Sequence, residues 1–238
     1  MKILITGGSG KLGTALRKVY PDALAPRHTD FDITDKDKVF EYIKKEKPDV
    51  VIHTAAFTSV AKAETEHEAC WTLNVRGTEN LVEALRTVNP KALFIYIGTA
   101  CVFYGDRGMY TENDIPHPKN FYAFTKLVGE YVARRMPEYL IARTNFVARE
   151  PWPYPKAFTD RFGTYLFADD VACALKDLIE ENTRGLVHIA GDKKMSMYEL
   201  AKLTTPNVGE MTMKETNLPL TVDMTLKSAK IKPFKIGA

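Results

Sequence analysis

The first fourteen residues, MKILITGGSGKLGT, restrict the fold more than any other stretch of the chain. Ile3-Leu4-Ile5 is an apolar run without polar alternation, the pattern of a strand buried on both faces. Gly7, Gly10 and Gly13 follow at three-residue steps, and Leu12, Leu16 and Val19 then recur at helical spacing. That is a strand, a glycine turn and a helix. Glycine permits a tight turn, and its missing side chain lets backbone N–H groups reach a pyrophosphate at a helix N-terminus, where the dipole favours anions. Gly7, Gly10 and Gly13 are therefore candidate dinucleotide-binding residues.

The same alternation continues downstream. A short apolar stretch, Ala23-Leu24-Ala25, ends in Pro26-Arg27-His28. Thr34 is the expected cap of a helix whose stripe is Val39, Phe40 and Ile43. Val50 to His53 leads into Thr54-Ala55-Ala56, and Ala92 to Ile97 into Gly98-Thr99-Ala100, with helical patterning from Glu64 to Leu85 between them. Four strand-plus-helix units in about 100 residues imply an α/β fold, a doubly wound parallel sheet of Rossmann type. Right-handed crossovers place the glycine turn, Ala55-Ala56 and Thr99 on one sheet edge, where the ligand site is expected. His53 is expected as a satisfied core histidine, and Asn74 as a hydrogen-bond partner of a neighbouring loop. Many NAD-binding sheets place an acidic residue about 20 positions past the glycines to hold the ribose 2′-hydroxyl. None stands here before Asp30. Arg27 is placed to meet a 2′-phosphate instead, which tilts the expected cofactor towards NADP(H) over NAD(H).

Tyr122 and Lys126 lie four apart, on one helix face. A phenol normally titrates near 10, and a lysine ammonium one turn away favours its ionised form. Tyr122 can then pass a proton to a carbonyl oxygen while a hydride arrives from a nicotinamide. Thr99, closing the preceding strand, supplies a hydroxyl that polarises the same carbonyl. Thr99, Tyr122 and Lys126 form the candidate catalytic set.

These stretches carry a resemblance. The glycine spacing resembles the extended short-chain dehydrogenase/reductase superfamily. Ile97 to Gly105, Tyr110 to Asp114, Asn120 to Glu130, Ala55 to Val60 and Arg143 to Phe146 look like the dTDP-4-dehydrorhamnose reductase family. The resemblance implies NAD(P)H-dependent reduction of a nucleotide-linked 4-keto-6-deoxysugar. It implies Gly10, Lys11 and Leu12 at the pyrophosphate, Asp32 and Ile33 at the adenine, and Ala55, Ala56, Phe57 and Ile97 along the cofactor. Lys126 would hold the nicotinamide ribose, and Thr58, Thr99, Ala100 and Phe146 would border the substrate.

Two departures qualify it. The family follows its threonine with aspartate and tyrosine, where this chain has Ala100-Cys101. Between Arg149 and Arg161 a proline-rich turn, Glu150 to Pro155, replaces a longer segment, and it cannot be a helix interior. The expected organisation is a dinucleotide-binding core over 1–146 and a small, reduced C-terminal substrate-binding lobe over 147–238 that returns about 164–190 to the core. An epimerase of the same superfamily and a non-catalytic NAD(P)-binding regulatory subunit, like the beta subunit of methionine adenosyltransferase, are the alternatives.

The net charge of +3 gives no reason to expect nucleic acid or a membrane surface as a partner. No apolar run approaches the roughly 20 residues of a membrane span, and Met1-Lys2 leads directly into the first strand, so a cytoplasmic location is expected. Cys70, Cys101 and Cys173 sit in apolar contexts and are expected as buried, inert thiols. No cluster has metal-ligand spacing. Ser196 with Glu199 is an expected capping box. A nucleotide-sugar is the expected partner, and a homodimer is left open.

Overall fold

In a computed structural model, which describes residues 1–237, five strands form one parallel sheet. They are β1 (Ile3–Thr6), β2 (Val50–His53), β3 (Leu93–Thr99), β4 (Tyr139–Thr144) and β5 (Gly185–Ile189), in that spatial order. Alternate residues of each strand serve opposite faces. Ile3, Ile5, Ile52, Ile95 and Leu140 pack under α1 (Lys11–Val19) and α5 (Ala168–Glu180) through Leu12, Leu16, Val171 and Leu175. Leu4, Val51, Phe94, Tyr96 and Ile141 meet α2 (Lys36–Glu46), α3 (Gly77–Val88) and α4 (Phe121–Ala133) through Val39, Ile43, Leu81, Leu85 and Val132. The doubly wound sheet is present as expected.

The second apolar stretch differs from expectation. It is reduced to Leu24, which bridges Leu4 on the outer edge of β1 through Leu24 N–H to Ile3 O (2.9 Å) and Ile5 N–H to Leu24 O (2.8 Å). Pro26 has no N–H with which to extend the ladder. The chain then crosses by α2 to β2 on the other side of β1. Connections therefore leave β1 and β2 in opposite directions, which opens a crevice at their C-terminal ends.

Local chemistry explains further details. Thr34 is not the cap of α2; Asp35 is, accepting from Lys38 N–H at 3.1 Å. The Asp32 carboxylate captures both the backbone N–H and the hydroxyl of Thr34 (2.9 and 2.8 Å), which pulls Thr34 out of the capping role. Ser196 and Glu199 form the expected box, at 3.1 and 2.6 Å. His53, 1% exposed, bridges the Thr6 and Thr78 hydroxyls at 2.7 and 3.0 Å. Thr78 gives its own proton to Asn74 O, so His53 Nε2–H donates to Thr78 and Nδ1 accepts from Thr6. Asn74 lies in a single π-turn, Thr72–Arg76, and holds both the N–H and the carbonyl of Phe57 at 2.7 and 3.1 Å.

The chain beyond β4 divides its contacts. α5 and β5 rejoin the central sheet. Phe162–Gly163 lies between Met195–Ser196, antiparallel, and Asp223–Met224, parallel, while Lys156–Phe158 pairs with Gly209–Met211. Within the proline-rich turn, Trp152 packs beside Ala157, Ala201 and Val208, and Tyr154 is exposed. Cys70 and Cys101 are buried as expected, but Cys173 is exposed. The helical period turns Val171, Ala174 and Leu175 inward and Cys173 outward. Among the described residues no helix is long and apolar enough to cross a membrane.

Candidate active site

The crevice at the C-terminal ends of β1, β2 and β3 is a cleft of about 730 Å³. At one end stands the glycine turn. Gly7 has φ +69°, and a Cβ there would lie 2.7 Å from Ala55 N; a Cβ on Gly13 would lie 2.2 Å from Gly7 O. Both glycines are demanded by the protein's own packing. Gly10 is different: a Cβ there would meet only Gly7 O, at 3.3 Å. Gly10 caps α1 with no side-chain bond and no acidic residue in the first turn, so N–H groups at the mouth of α1 remain free for an anion. This cradle fits a dinucleotide pyrophosphate.

Gly7, Gly10, Lys11, Leu12 and Gly13 line the cleft, as do Ile33, Ala55, Ala56, Thr58, Ile97 and Phe146. Four expected site residues do not. The Arg27 guanidinium is 82% exposed and bonds Asp30 at 3.0 Å, although its neighbours Pro26 and His28 line the cleft. Asp32 is committed to Thr34, the backbone of Phe57 is held by Asn74, and Ala100 is wholly buried. His28, Phe31, Leu73 and Asn145 line the cleft without having been singled out; the Pro26-Arg27-His28 turn was the available signal for the first.

At the other end stand Thr99, Tyr122 and Lys126, brought together as expected. The N-cap Asn120 accepts from Ala123 N–H at 2.9 Å, and Glu64 accepts from Phe121 N–H at 2.8 Å, which fixes the start of α4. Thr99 accepts from Cys101 N–H at 3.2 Å. Burial pushes the Tyr122 phenol well above the usual range, with the Thr99 hydroxyl opposing it. Burial likewise pulls Lys126 down to about 7, opposed by Glu130. The lysine ammonium rests 4.1 Å above the Tyr96 ring. The expected lowering of Tyr122 by Lys126 is therefore not the dominant effect; desolvation governs both groups. The consequence is a phenol that holds its proton at neutral pH, the state a proton donor needs. Among the described residues no group of three His, Cys, Asp or Glu side chains is arranged to hold a metal.

Residues 1–162 match the RmlD substrate binding domain family. The chain belongs to this family. The RmlD-family chain is 32% identical to the dTDP-4-dehydrorhamnose reductase of Aggregatibacter actinomycetemcomitans, over 84% of this chain and 76% of that protein. It is 28% identical to methionine adenosyltransferase 2 subunit beta of Rattus norvegicus, over 99% and 85%. Its fold matches the dTDP-4-dehydrorhamnose reductase of Bacillus anthracis, a structure in complex with NADP, with a TM-score of 0.89 at 24% identity, covering 99% and 96% of the two chains.

Proposed function

We propose that this chain reduces the C4 carbonyl of a nucleotide-linked 4-keto-6-deoxysugar with NADPH or NADH, with Tyr122 as proton donor. One observation carries the reading: Thr99, Tyr122 and Lys126 line the same cleft as the open mouth of α1. The reductase relative at 32% identity supports the substrate class, and the NADP held by the structural neighbour supports the cofactor.

A bound reduced nicotinamide supplies the hydride. The chain's own residues do the rest. N–H groups at the mouth of α1 hold the pyrophosphate. The Thr99 hydroxyl and the Tyr122 phenol bond to the carbonyl oxygen and fix its orientation. As that oxygen gains charge, the Tyr122 O–H proton moves to it, and the ketone becomes a secondary alcohol. The Lys126 cation stabilises the phenolate left behind. Ala100, wholly buried, stands where the family has aspartate, so no carboxylate stands at this point to share the proton handling. In the same reading 1–146 carries the cofactor, and the short strands and turns of 147–163 and beyond 190 form the reduced substrate face.

The decisive assay follows NADPH oxidation by absorbance with a freshly prepared dTDP-4-keto-6-deoxyhexose. Turnover is expected. Tight cofactor binding without turnover across several nucleotide sugars would transfer support to a regulatory subunit, the second reading that the rat relative keeps in view. Arg27 gives a separate expectation. Its exposed pair with Asp30 costs little to break. Arg27→Ala should weaken NADPH binding by about tenfold and leave NADH binding unchanged, an effect of about 1.4 kcal/mol, measured by calorimetry. Equal losses would remove Arg27 from the 2′-phosphate.

A further inference from the structure

The proposed reaction leaves one fully buried charge pair without a role. Arg143 on β4 and Glu130 on α4 are 2% and 1% exposed, and they join through two parallel bonds, Nε to Oε1 at 2.9 Å and Nη2 to Oε2 at 2.8 Å. The pair ties the helix that carries Tyr122 and Lys126 to the strand beside the one that carries Thr99. It packs directly against Gly98, where a Cβ would lie 3.0 Å from Glu130 Oε1 and 3.1 Å from Arg143 Cγ. A side chain at Gly98, the residue before Thr99, would press on both partners of the pair.

Tyr122, Lys126 and Glu130 recur at four-residue steps and share one helix face. Lys126 is 5% exposed, and among the described residues no carboxylate stands within 4.0 Å of its ammonium. Its direct support is the Tyr96 ring, 4.1 Å below. Tyr96 is itself locked: its hydroxyl donates to Lys126 O at 3.3 Å and occupies the space left by Gly129. A buried ammonium on an aromatic face is still a costly charge without an anion nearby.

We propose that Glu130 is a positioning residue for the reaction: its carboxylate, pinned by Arg143 beside Gly98, is the fixed counter-charge that keeps the Lys126 ammonium seated on Tyr96, one turn from Tyr122. This rests on the preceding reading of Tyr122 as the proton donor. The groups facing Lys126 are Tyr122 and Glu130 from α4, Tyr96 from β3, His53 from β2 and Cys70 from the short helix His67–Trp71, with Arg143 behind Glu130. Burial holds the two phenols and the Cys70 thiol protonated and His53 neutral. Glu130 is the anion of the set, and it opposes the burial that drives Lys126 towards its neutral form.

The test compares Glu130→Gln with Glu130→Asp. The first removes the charge; the second keeps it but is too short for both bonds to Arg143. NMR titration of the Lys126 ε-methylene, assigned with Lys126→Met, reads the charge state of the lysine without any substrate. Glu130→Gln should lower the Lys126 midpoint by about one pH unit, and Glu130→Asp should hold it near the parent value. In turnover, Glu130→Gln should lose about fivefold of kcat at about pH 7 and regain it on mild acidification, with KM little changed. Because Glu130→Gln leaves a buried guanidinium alone, the paired change Glu130→Gln with Arg143→Met serves as a folded control, with a smaller downward shift expected because the Arg143 cation goes too. An unchanged Lys126 midpoint in the folded Gln or paired variant overturns the proposal, and so does a kcat loss equal at every pH. If no variant or parent turns over, the proposed reaction fails while the titration still decides the role of Glu130.

Discussion

Tyr122→Phe keeps the fold and the cofactor affinity and loses about 10²- to 10⁴-fold of kcat. The change removes a single oxygen. The ring remains packed with Ala123, Leu127 and Cys101, and the hydroxyl's interaction with Thr99 is forfeited. The loss is large because the oxygen carries the proton that the carbonyl needs as it gains negative charge, and nothing adjacent replaces it. Ala100 is wholly buried and has no acid to offer, and the Cys70 thiol does not line the cleft. The direction of the Tyr122 shift sharpens the expectation. A phenol raised by burial is protonated throughout the neutral range, so the parent's reductive kcat should not fall for want of that proton as pH rises towards the ordinary phenol range. Steady-state kinetics together with cofactor binding by fluorescence measure both. Full turnover by Tyr122→Phe would exclude this phenol as the donor.

The parts of this site that were legible in the sequence are those fixed by local geometry. Gly7 and Gly13 announce a turn because their neighbours leave no room for a Cβ, and Tyr122 and Lys126 announce a shared face because the helix repeats every 3.6 residues. His53 and Asn74 read correctly as satisfied polar groups because each interrupts an otherwise apolar run. What stayed hidden depends on partners distant in the chain or on competition between neighbours. The bonds from Thr34 to the Asp32 carboxylate and from Arg27 to Asp30 are both choices between neighbours that spacing alone does not show. The sequence spacing of Tyr122 and Lys126 shows a cation near a phenol. It does not show how thoroughly the folded chain excludes water from both, and desolvation outweighs the attraction. The Glu130–Arg143 pair joins residues 13 apart on a helix and the following strand, and only the folded register reveals that Gly98 makes room for it.

Acidification from about pH 6.5 to about pH 4 should remove roughly 6 kcal/mol of folding stability, with two histidines as the main cause. Burial pulls His53 down to about 3 and His188 down to about 4 in the folded chain. Each titrates near 6.5 once unfolded. The sign follows from that difference. The folded values are depressed, so the neutral imidazoles contribute their full stability above the unfolded value and lose it as pH falls, because the unfolded chain binds protons that the folded chain refuses. Each contributes about 3 kcal/mol across this window. His53 cannot take up a second proton cheaply, since its Nδ1 accepts from Thr6 and the Lys126 cation lies nearby. His188 is wholly buried, and that desolvation, helped by the Arg143 cation, outweighs the opposing pull of Glu112 and of Tyr110 O, 3.1 Å from its Nδ1. The carboxylates held low by hydrogen bonds, such as Asp35 and Asp223, lose their contributions only below about pH 4. They act with the same sign but later. Urea unfolding at several pH values measures the slope, and His53→Gln isolates one proton of it. That variant should be less stable near neutrality, where the Thr6–His53–Thr78 bridge is lost, yet visibly flatter in its response to acid. A parent-like slope in His53→Gln would mean that His53 already accepts its proton in the folded state, and the tautomer set by Thr78 and Asn74 would then be wrong as well.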